Sequence, residues 1–173
     1  MRWKTHGRRT LYASEWLELG LDQVELPDGH RLDHHAIRFP RASVAALVTN
    51  GSRILMLWRH RFIPDIWTWE LPCGWIDEGE PPIQAARREV EEETGWRPGP
   101  MTPLGRFHGL PGICDSRFHL FGADGAVEVG PPSDPNEAAR VAWVPLDELP
   151  ELMARGELTD GPTLAALSLA RAL

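Results

Sequence analysis

No apolar run in this chain approaches the roughly 18 residues that a membrane-spanning helix needs, and hydrophobic residues make up an ordinary 42% of it. A membrane protein is not expected. Cysteine is scarce: Cys73 and Cys114 are the only two in 173 residues, too few for a disulfide framework, which points to a reducing, cytoplasmic setting. Basic side chains are outnumbered, 18 Lys and Arg against 25 Asp and Glu, for a formal net charge of −7. Such a chain is not expected to grip nucleic acid through a basic surface, and an anionic ligand would need locally placed arginine or a metal. The opening Met1-Arg2-Trp3-Lys4 continues into His6, Arg8 and Arg9 rather than an apolar stretch, so no secretory signal is expected. Internal repeats and low-complexity tracts are also missing, and the length suits one compact unit.

Sixteen prolines and sixteen glycines divide the chain into many short elements. Residues 16–26 alternate apolar and polar side chains before Pro27-Asp28-Gly29, and the pattern resumes over 30–39, which predicts a hairpin. Val44 to Val48 and Ile54 to Trp58, separated by Thr49-Asn50-Gly51-Ser52, predict a second, more buried hairpin, both belonging to a central sheet. Trp67 to Leu71, Phe118 to Phe121 and Arg140 to Val144 are further strand candidates. The clearest helix starts at Pro81 and Pro82, where missing donors cost little, and stops before Gly95. Its apolar stripe is Ile83, Ala86 and Val90. Two more helices are expected, from about Pro145 to Arg155 and from Thr163 to the end.

Residues 70–93 carry eight carboxylates against Arg87 and Arg88. At about 100° per residue, Glu89, Glu92 and Glu93 fall on one side of the first helix, and Glu91 points away. Like charges at i,i+3 and i,i+4 repel. Charge clustering alone suggests an exposed acidic face; a bound cation would also reconcile three carboxylates in a small volume, and hard oxygen ligands select Mg²⁺, Mn²⁺ or Ca²⁺.

The wider pattern decides between these. Gly74, Glu80, Arg88, Glu89, Val90, Glu92, Glu93, Gly95 and Trp96 fit G-x5-E-x7-R-E-U-x-E-E-x-G-U, with U a bulky apolar residue. This resembles the signature of the Nudix hydrolases. Matching the fixed letters by chance is on the order of one in 10⁸ per starting point. Trp96 departs from the usual aliphatic final residue but removes no ligand.

The resemblance implies an α/β/α sandwich with a mixed sheet and an N-terminal β-hairpin extension, residues 1–40 forming the extension and 41–173 the hydrolase domain. It implies that Glu89, Glu92 and Glu93 hold divalent cations, Mg²⁺ or Mn²⁺, with Cys73 adding its backbone carbonyl. Arg88 would orient a glutamate, and Glu80 would support the loop. The chemistry implied is attack of water on one phosphorus of a nucleoside diphosphate joined to a second moiety. Trp69-Glu70-Leu71-Pro72-Cys73-Gly74, the run Arg59-His60-Arg61-Phe62, Pro111 sixteen residues after Gly95, and Trp143-Val144-Pro145-Leu146-Asp147-Glu148 resemble the ADP-ribose pyrophosphatase subgroup. That likeness implies a homodimer in which Trp16 stacks on the base with His34 opposite, while Arg61 and Glu70 contact the terminal ribose or phosphates. Several members carry a glutamate shortly after the Pro-Gly, where this chain has Ser116. Glu137 resembles the alternative base from a later loop, with Asp115 the other candidate. The expected function is hydrolysis of the pyrophosphate bond of ADP-ribose or a related nucleoside diphosphate sugar. The alternatives are a Nudix hydrolase of nucleoside triphosphates or dinucleoside polyphosphates, the latter disfavoured because no tyrosine follows Tyr12, and a non-catalytic nucleotide sensor.

Overall fold

The structure is a computed structural model that describes residues 1–134 and 136–172. The chain divides into two units, Met1–Ala42 with His108–Arg117, and Ser43–Phe107 with the residues from Phe118 onward. Among the described residues no helix is long and apolar enough to cross a membrane.

The first unit is a three-stranded antiparallel sheet, β1 (Lys4–Ala13), β2 (Glu18–Glu25) and β3 (Arg31–Arg38), in that order. The β2–β3 pair is the hairpin predicted around Pro27-Asp28-Gly29, with Glu18 opposite Arg38 and Glu25 opposite Arg31. Its expected place in the central sheet is corrected: it pairs with β1 in a sheet of its own. Strand β1 has no period-two apolar pattern, because it is held by cross-strand charges rather than by burial. Arg8 Nε lies 2.7 Å from Asp22 Oδ1, and Arg38 Nη2 lies 2.7 Å from Asp22 Oδ2. Residues 108–117 run along β3: Ile37 N–H donates to Ile113 O at 2.8 Å, and Phe39 N–H donates to Asp115 Oδ1 at 2.9 Å.

The second unit holds a seven-stranded mixed sheet built from β4 (Ser43–Asn50), β5 (Arg53–Arg61), β6 (Ile66–Glu70), β7 (Cys73–Trp75), β9 (Met101–His108), β10 (Arg117–Asp124) and β12 (Arg140–Pro145). Its order is β12-β5-β4-β10-β9, with β6 on β5 and β7 on β4. β4 and β10 are parallel; β4–β5, β5–β6, β5–β12 and β4–β7 are antiparallel. The short strands β8 (Trp96–Pro98) and β11 (Ala126–Glu128) pair separately.

Both faces of the large sheet are dry, which is why its central strands read as continuous apolar runs. Val44, Ala46 and Val48 of β4 join Leu55, Phe121 and Ala123 beneath Ala85, Ala86 and Val90 of helix α1 (Pro82–Thr94). The alternate residues Ala45 and Leu47 join Ile54, Met56 and Leu120 beneath α2 (Leu149–Ala154) and α3 (Gly161–Ala172), through Leu149, Leu152, Ala166 and Leu167. The result is the expected α/β/α sandwich. Helix α1 begins and ends where the sequence predicts. Gly95 closes it in the left-handed region (φ 74°), its N–H donating to Glu91 O, and a Cβ there would lie 2.0 Å from Gly130 O.

Candidate active site

Helix α1 positions four charged side chains, Arg88, Glu89, Glu92 and Glu93, by phase alone. Ala86 and Val90 lie on its buried stripe, and the next position on that stripe is Glu93, only 4% exposed. A carboxylate carried into a core needs a counter-charge. Arg59 supplies it from β5: its Nη2 donates to Glu93 Oε1 at 2.9 Å, and Cys73 N–H donates to Oε2 at 2.8 Å. Burial still pushes the Glu93 pKa up to about 7, against the opposing pull of Arg59 and the Cys73 amide.

Arg59 faces a second buried carboxylate. Its Nε, which has no hydrogen-bond partner among the described residues, lies 3.8 Å from Oε2 of Glu70. Glu70 in turn takes the Arg61 guanidinium on both oxygens, through Nε at 2.8 and 3.1 Å. Glu93, Arg59, Glu70 and Arg61 thus form a chain of alternating charge from the core to a half-exposed arginine. Arg61 and Glu70 line a cavity of about 580 Å³ with Phe62, Ile63, Phe118 and Asp160.

Arg88 is the organiser of the loop before the helix. Its Nε and Nη2 grip the two oxygens of Glu80 at 3.0 Å each, and Nη2 also donates to Trp75 O at 2.9 Å. Its Nη1 donates to Glu89 Oε1 at 2.7 Å and to Glu92 Oε2 at 2.9 Å. The planar fork can serve three carboxylates and a carbonyl at once, which a lysine cannot. Its fork holds Glu80 below the usual carboxylate range. Glu89 is shifted the other way, first by burial, with the charges of Glu92 and Glu137 adding to the rise against Arg88. Gly74 faces Glu89 so closely that a Cβ would lie 2.1 Å from Glu89 Cδ.

The donor set suits a hard divalent cation, since every ligand offered is a carboxylate or carbonyl oxygen. Glu89 and Glu92 aim at one point, the Arg88 Nη1 they share, and the bare backbone of Gly74 leaves Glu89 the room to do so. Among the described residues no three His, Cys, Asp or Glu side chains are arranged as a ready cage. Arginine holds these oxygens instead. Cys73 is half-buried and its thiol pKa is raised, chiefly by desolvation, so it is a neutral group rather than a thiolate.

Residues 39–167 match the NUDIX domain. The chain belongs to the Nudix family. Residues 3–37 match the nucleoside diphosphate sugar hydrolase N-terminal domain. Over 97% of its length the chain is 41% identical to a CMP-5'-(N-acetyl-N-hydroxy-3-aminopropyl)phosphonate hydrolase of Streptomyces rubellomurinus, covering 82% of that protein. It is 29% identical to an ADP-ribose pyrophosphatase of Bacillus subtilis and 30% identical to one of Mycobacterium tuberculosis, over 95% of this chain in each case and 90% and 81% of those proteins. A crystal structure of an ADP compounds hydrolase shares the fold, with a TM-score of 0.88, 19% identity, and 99% of this chain and 94% of that one covered.

The remaining predicted residues of this Nudix chain fall in two places. Glu137 lies in the exposed segment before β12, and its charge acts on both Glu89 and Glu93. Asp115 lies in the first unit, where its carboxylate accepts the Phe39 amide. Trp16 occupies the β1–β2 turn and is 58% exposed. His34 meets the ring of Trp3 edge-on at 6.3 Å, and both line a first-unit cavity of about 480 Å³. Sequence reasoning missed Arg59 as the counter-ion of Glu93. A signal existed: a glutamate in register with Ala86 and Val90 has to be neutralised, and Arg59 follows directly on the apolar run 54–58 of β5 at an inward, buried position.

Proposed function

We propose that this Nudix enzyme hydrolyses the pyrophosphate bond of ADP-ribose or a related nucleoside diphosphate sugar, with Mg²⁺ or Mn²⁺, releasing two phosphomonoesters. The observation that carries the reading is the Arg88 assembly, in which one guanidinium collects Glu80, Glu89 and Glu92 beside Gly74. Glu89, Glu92, Glu93 and the carbonyl of Cys73 hold the metal, which when bound supplies charge neutralisation for the phosphate oxygens. Glu137 takes the proton from the attacking water. Its exposure leaves it open to water and substrate, and its charge already couples to Glu89 and Glu93. Asp115 is the weaker candidate because Phe39 N–H occupies its carboxylate. Water adds to one phosphorus, the bridging oxygen leaves with the other, and each product retains one phosphate.

In this reading Trp16 and His34 contact the base, Arg61 and Glu70 contact the distal moiety, and the N-terminal sheet serves a homodimer in a cytoplasmic setting. The support is the N-terminal match to nucleoside diphosphate sugar hydrolases and the two relatives named for ADP-ribose. A second reading, a cytidine nucleotide joined to a phosphonate, is favoured by the 41% identical relative. A panel of ADP-ribose, other nucleoside diphosphate sugars, CMP-linked phosphonates, nucleoside triphosphates and diadenosine polyphosphates, run with Mg²⁺, Mn²⁺ and EDTA, separates them. Cleavage of ADP-ribose or a nucleoside diphosphate sugar well above the others, abolished by EDTA, is expected. Nucleotide binding without cleavage of any member would establish a sensor instead.

A further inference from the structure

We propose that Thr163, in the first turn of α3, is a positioning residue for the Cys73–Glu93 arm of the site, acting through the Leu71–Cys73 backbone. This rests on the reading of Glu93 as part of the catalytic centre. Leu71 follows the last residue of β6, where the β5–β6 ladder ends at the Leu57–Glu70 pair. Its buried N–H donates instead to Thr163 Oγ1 at 3.0 Å. Pro72 has no N–H to give, and its carbonyl accepts Ala46 N–H at 3.0 Å. Cys73 N–H then donates to Glu93 Oε2 at 2.8 Å. Three consecutive residues are therefore held at three points, by α3, by β4 and by the catalytic helix.

The direction of the Thr163 hydrogen bond is fixed. Its hydroxyl donates to Asp160 Oδ2 at 2.6 Å, and its N–H donates to the same oxygen at 2.9 Å. A hydroxyl has one proton, so with that proton spent on Asp160 the oxygen can only accept from Leu71. Thr163 is fully buried, and water cannot replace it. The neighbouring ties, Trp69 N–H to Glu157 O at 2.7 Å and Thr159 N–H to Thr68 Oγ1 at 3.3 Å, do not involve it. Loss of the hydroxyl thus releases the backbone at residue 71 while leaving the rest of the seam closed. Both Glu93 oxygens are committed, one to Arg59 and one to Cys73, so movement of Cys73 is passed to Glu93.

Thr163→Val removes the hydroxyl at nearly constant shape, and Thr163→Ser keeps it. With the panel compound that the wild type cleaves fastest, Thr163→Val is expected to lower kcat by about tenfold or more with KM within about twofold. Thr163→Ser is expected to stay within about threefold of wild type. Amide exchange followed by ¹⁵N NMR should accelerate at Cys73 in Thr163→Val and remain unchanged at Leu55 in β5, which separates local release from general destabilisation. Wild-type kcat in Thr163→Val, an equal loss in Thr163→Ser, or equal acceleration at Leu55 and Cys73 overturns the proposal. If Thr163→Val does not fold, Asp160→Ala, at a partly exposed position, unanchors the same hydroxyl. It should lower kcat at least about threefold and accelerate exchange at Cys73; no change in either overturns the proposal. A wild type that cleaves nothing in the panel removes the functional reading, while the exchange measurement still tests the tether.

Discussion

Replacing Gly74 by alanine would set a methyl carbon 2.1 Å from Glu89 Cδ and 2.2 Å from each of its carboxylate oxygens. Ordinary contact begins near 3.4 Å, so the carboxylate must retreat by more than about 1 Å. Glu89 can do so, because the clash is with the far end of a flexible side chain and not with backbone. The retreat breaks the 2.7 Å bond to Arg88, a part-buried charge-assisted bond worth about 2 kcal/mol. For a chain of this size that lowers Tm by less than about 8 °C. Turnover should suffer far more, since a 1 Å displacement of a reacting group can cost on the order of a hundredfold. Gly74→Ala is therefore expected to fold, with circular dichroism and a cooperative melt close to wild type. Its kcat for the best panel compound with Mg²⁺ should fall by roughly a hundredfold. Turnover within threefold of wild type would refute the placement of Glu89 at the reacting centre.

Glu137→Gln should lower kcat by about a hundredfold while KM and Mn²⁺ affinity stay within about threefold, measured by steady-state kinetics and calorimetry; near-normal kcat eliminates Glu137 as the base. Trp16→Ala should raise KM without changing kcat, and an unchanged KM would remove that ring from substrate binding. Glu93→Lys sets a second cation beside Arg59 in the core and should cost about 3 kcal/mol or more, with Glu70 Oε2, 3.8 Å from Arg59 Nε, giving partial relief. A Tm within 2 °C of wild type would contradict that assignment. Burial raises the Asp160 pKa, so the folded state holds this proton more tightly than the unfolded chain. The contribution of Asp160 to stability is accordingly present at acid pH and lost as pH rises through and above the ordinary aspartate range. Denaturant titrations should show a shallower fall over that range in Asp160→Asn; parallel curves would exclude the linkage.

The parts of the fold legible in the sequence are those whose stabilisation repeats at short range. The β4–β5 hairpin was readable because two apolar runs flank an Asn-Gly turn, and α1 because Pro82 and Gly95 mark its ends. Strand β9 was not, since Pro103 and Gly105 interrupt it as they would a loop. Strand β1 was not, since its partners are charges on β2 and single-strand periodicity is blind to cross-strand ion pairs.

The same division runs through the site. Gly74, Glu80, Arg88, Glu89, Glu92 and Glu93 are readable together because one loop and one helix carry them all, and helical phase fixes their relation. What phase cannot supply is the opposing charge. Taken from residues 70–93 alone, the acidic excess calls for a cation; in the folded chain much of it is met by arginine. Arg88 answers Glu80, Glu89 and Glu92 from within the segment, and Arg59 answers Glu93 across 34 residues. These two guanidiniums differ in what they leave available. Arg88 keeps its grip on Glu80 and Trp75 O through Nε and Nη2 even when Nη1 gives up Glu89 and Glu92, so those two carboxylates can pass to a metal with the loop unmoved. Glu93, buried between Arg59 and the Cys73 amide, would keep both partners and meet a metal only through a remaining lone pair where it stands, so its place is set by the backbone that Leu71 and Thr163 hold.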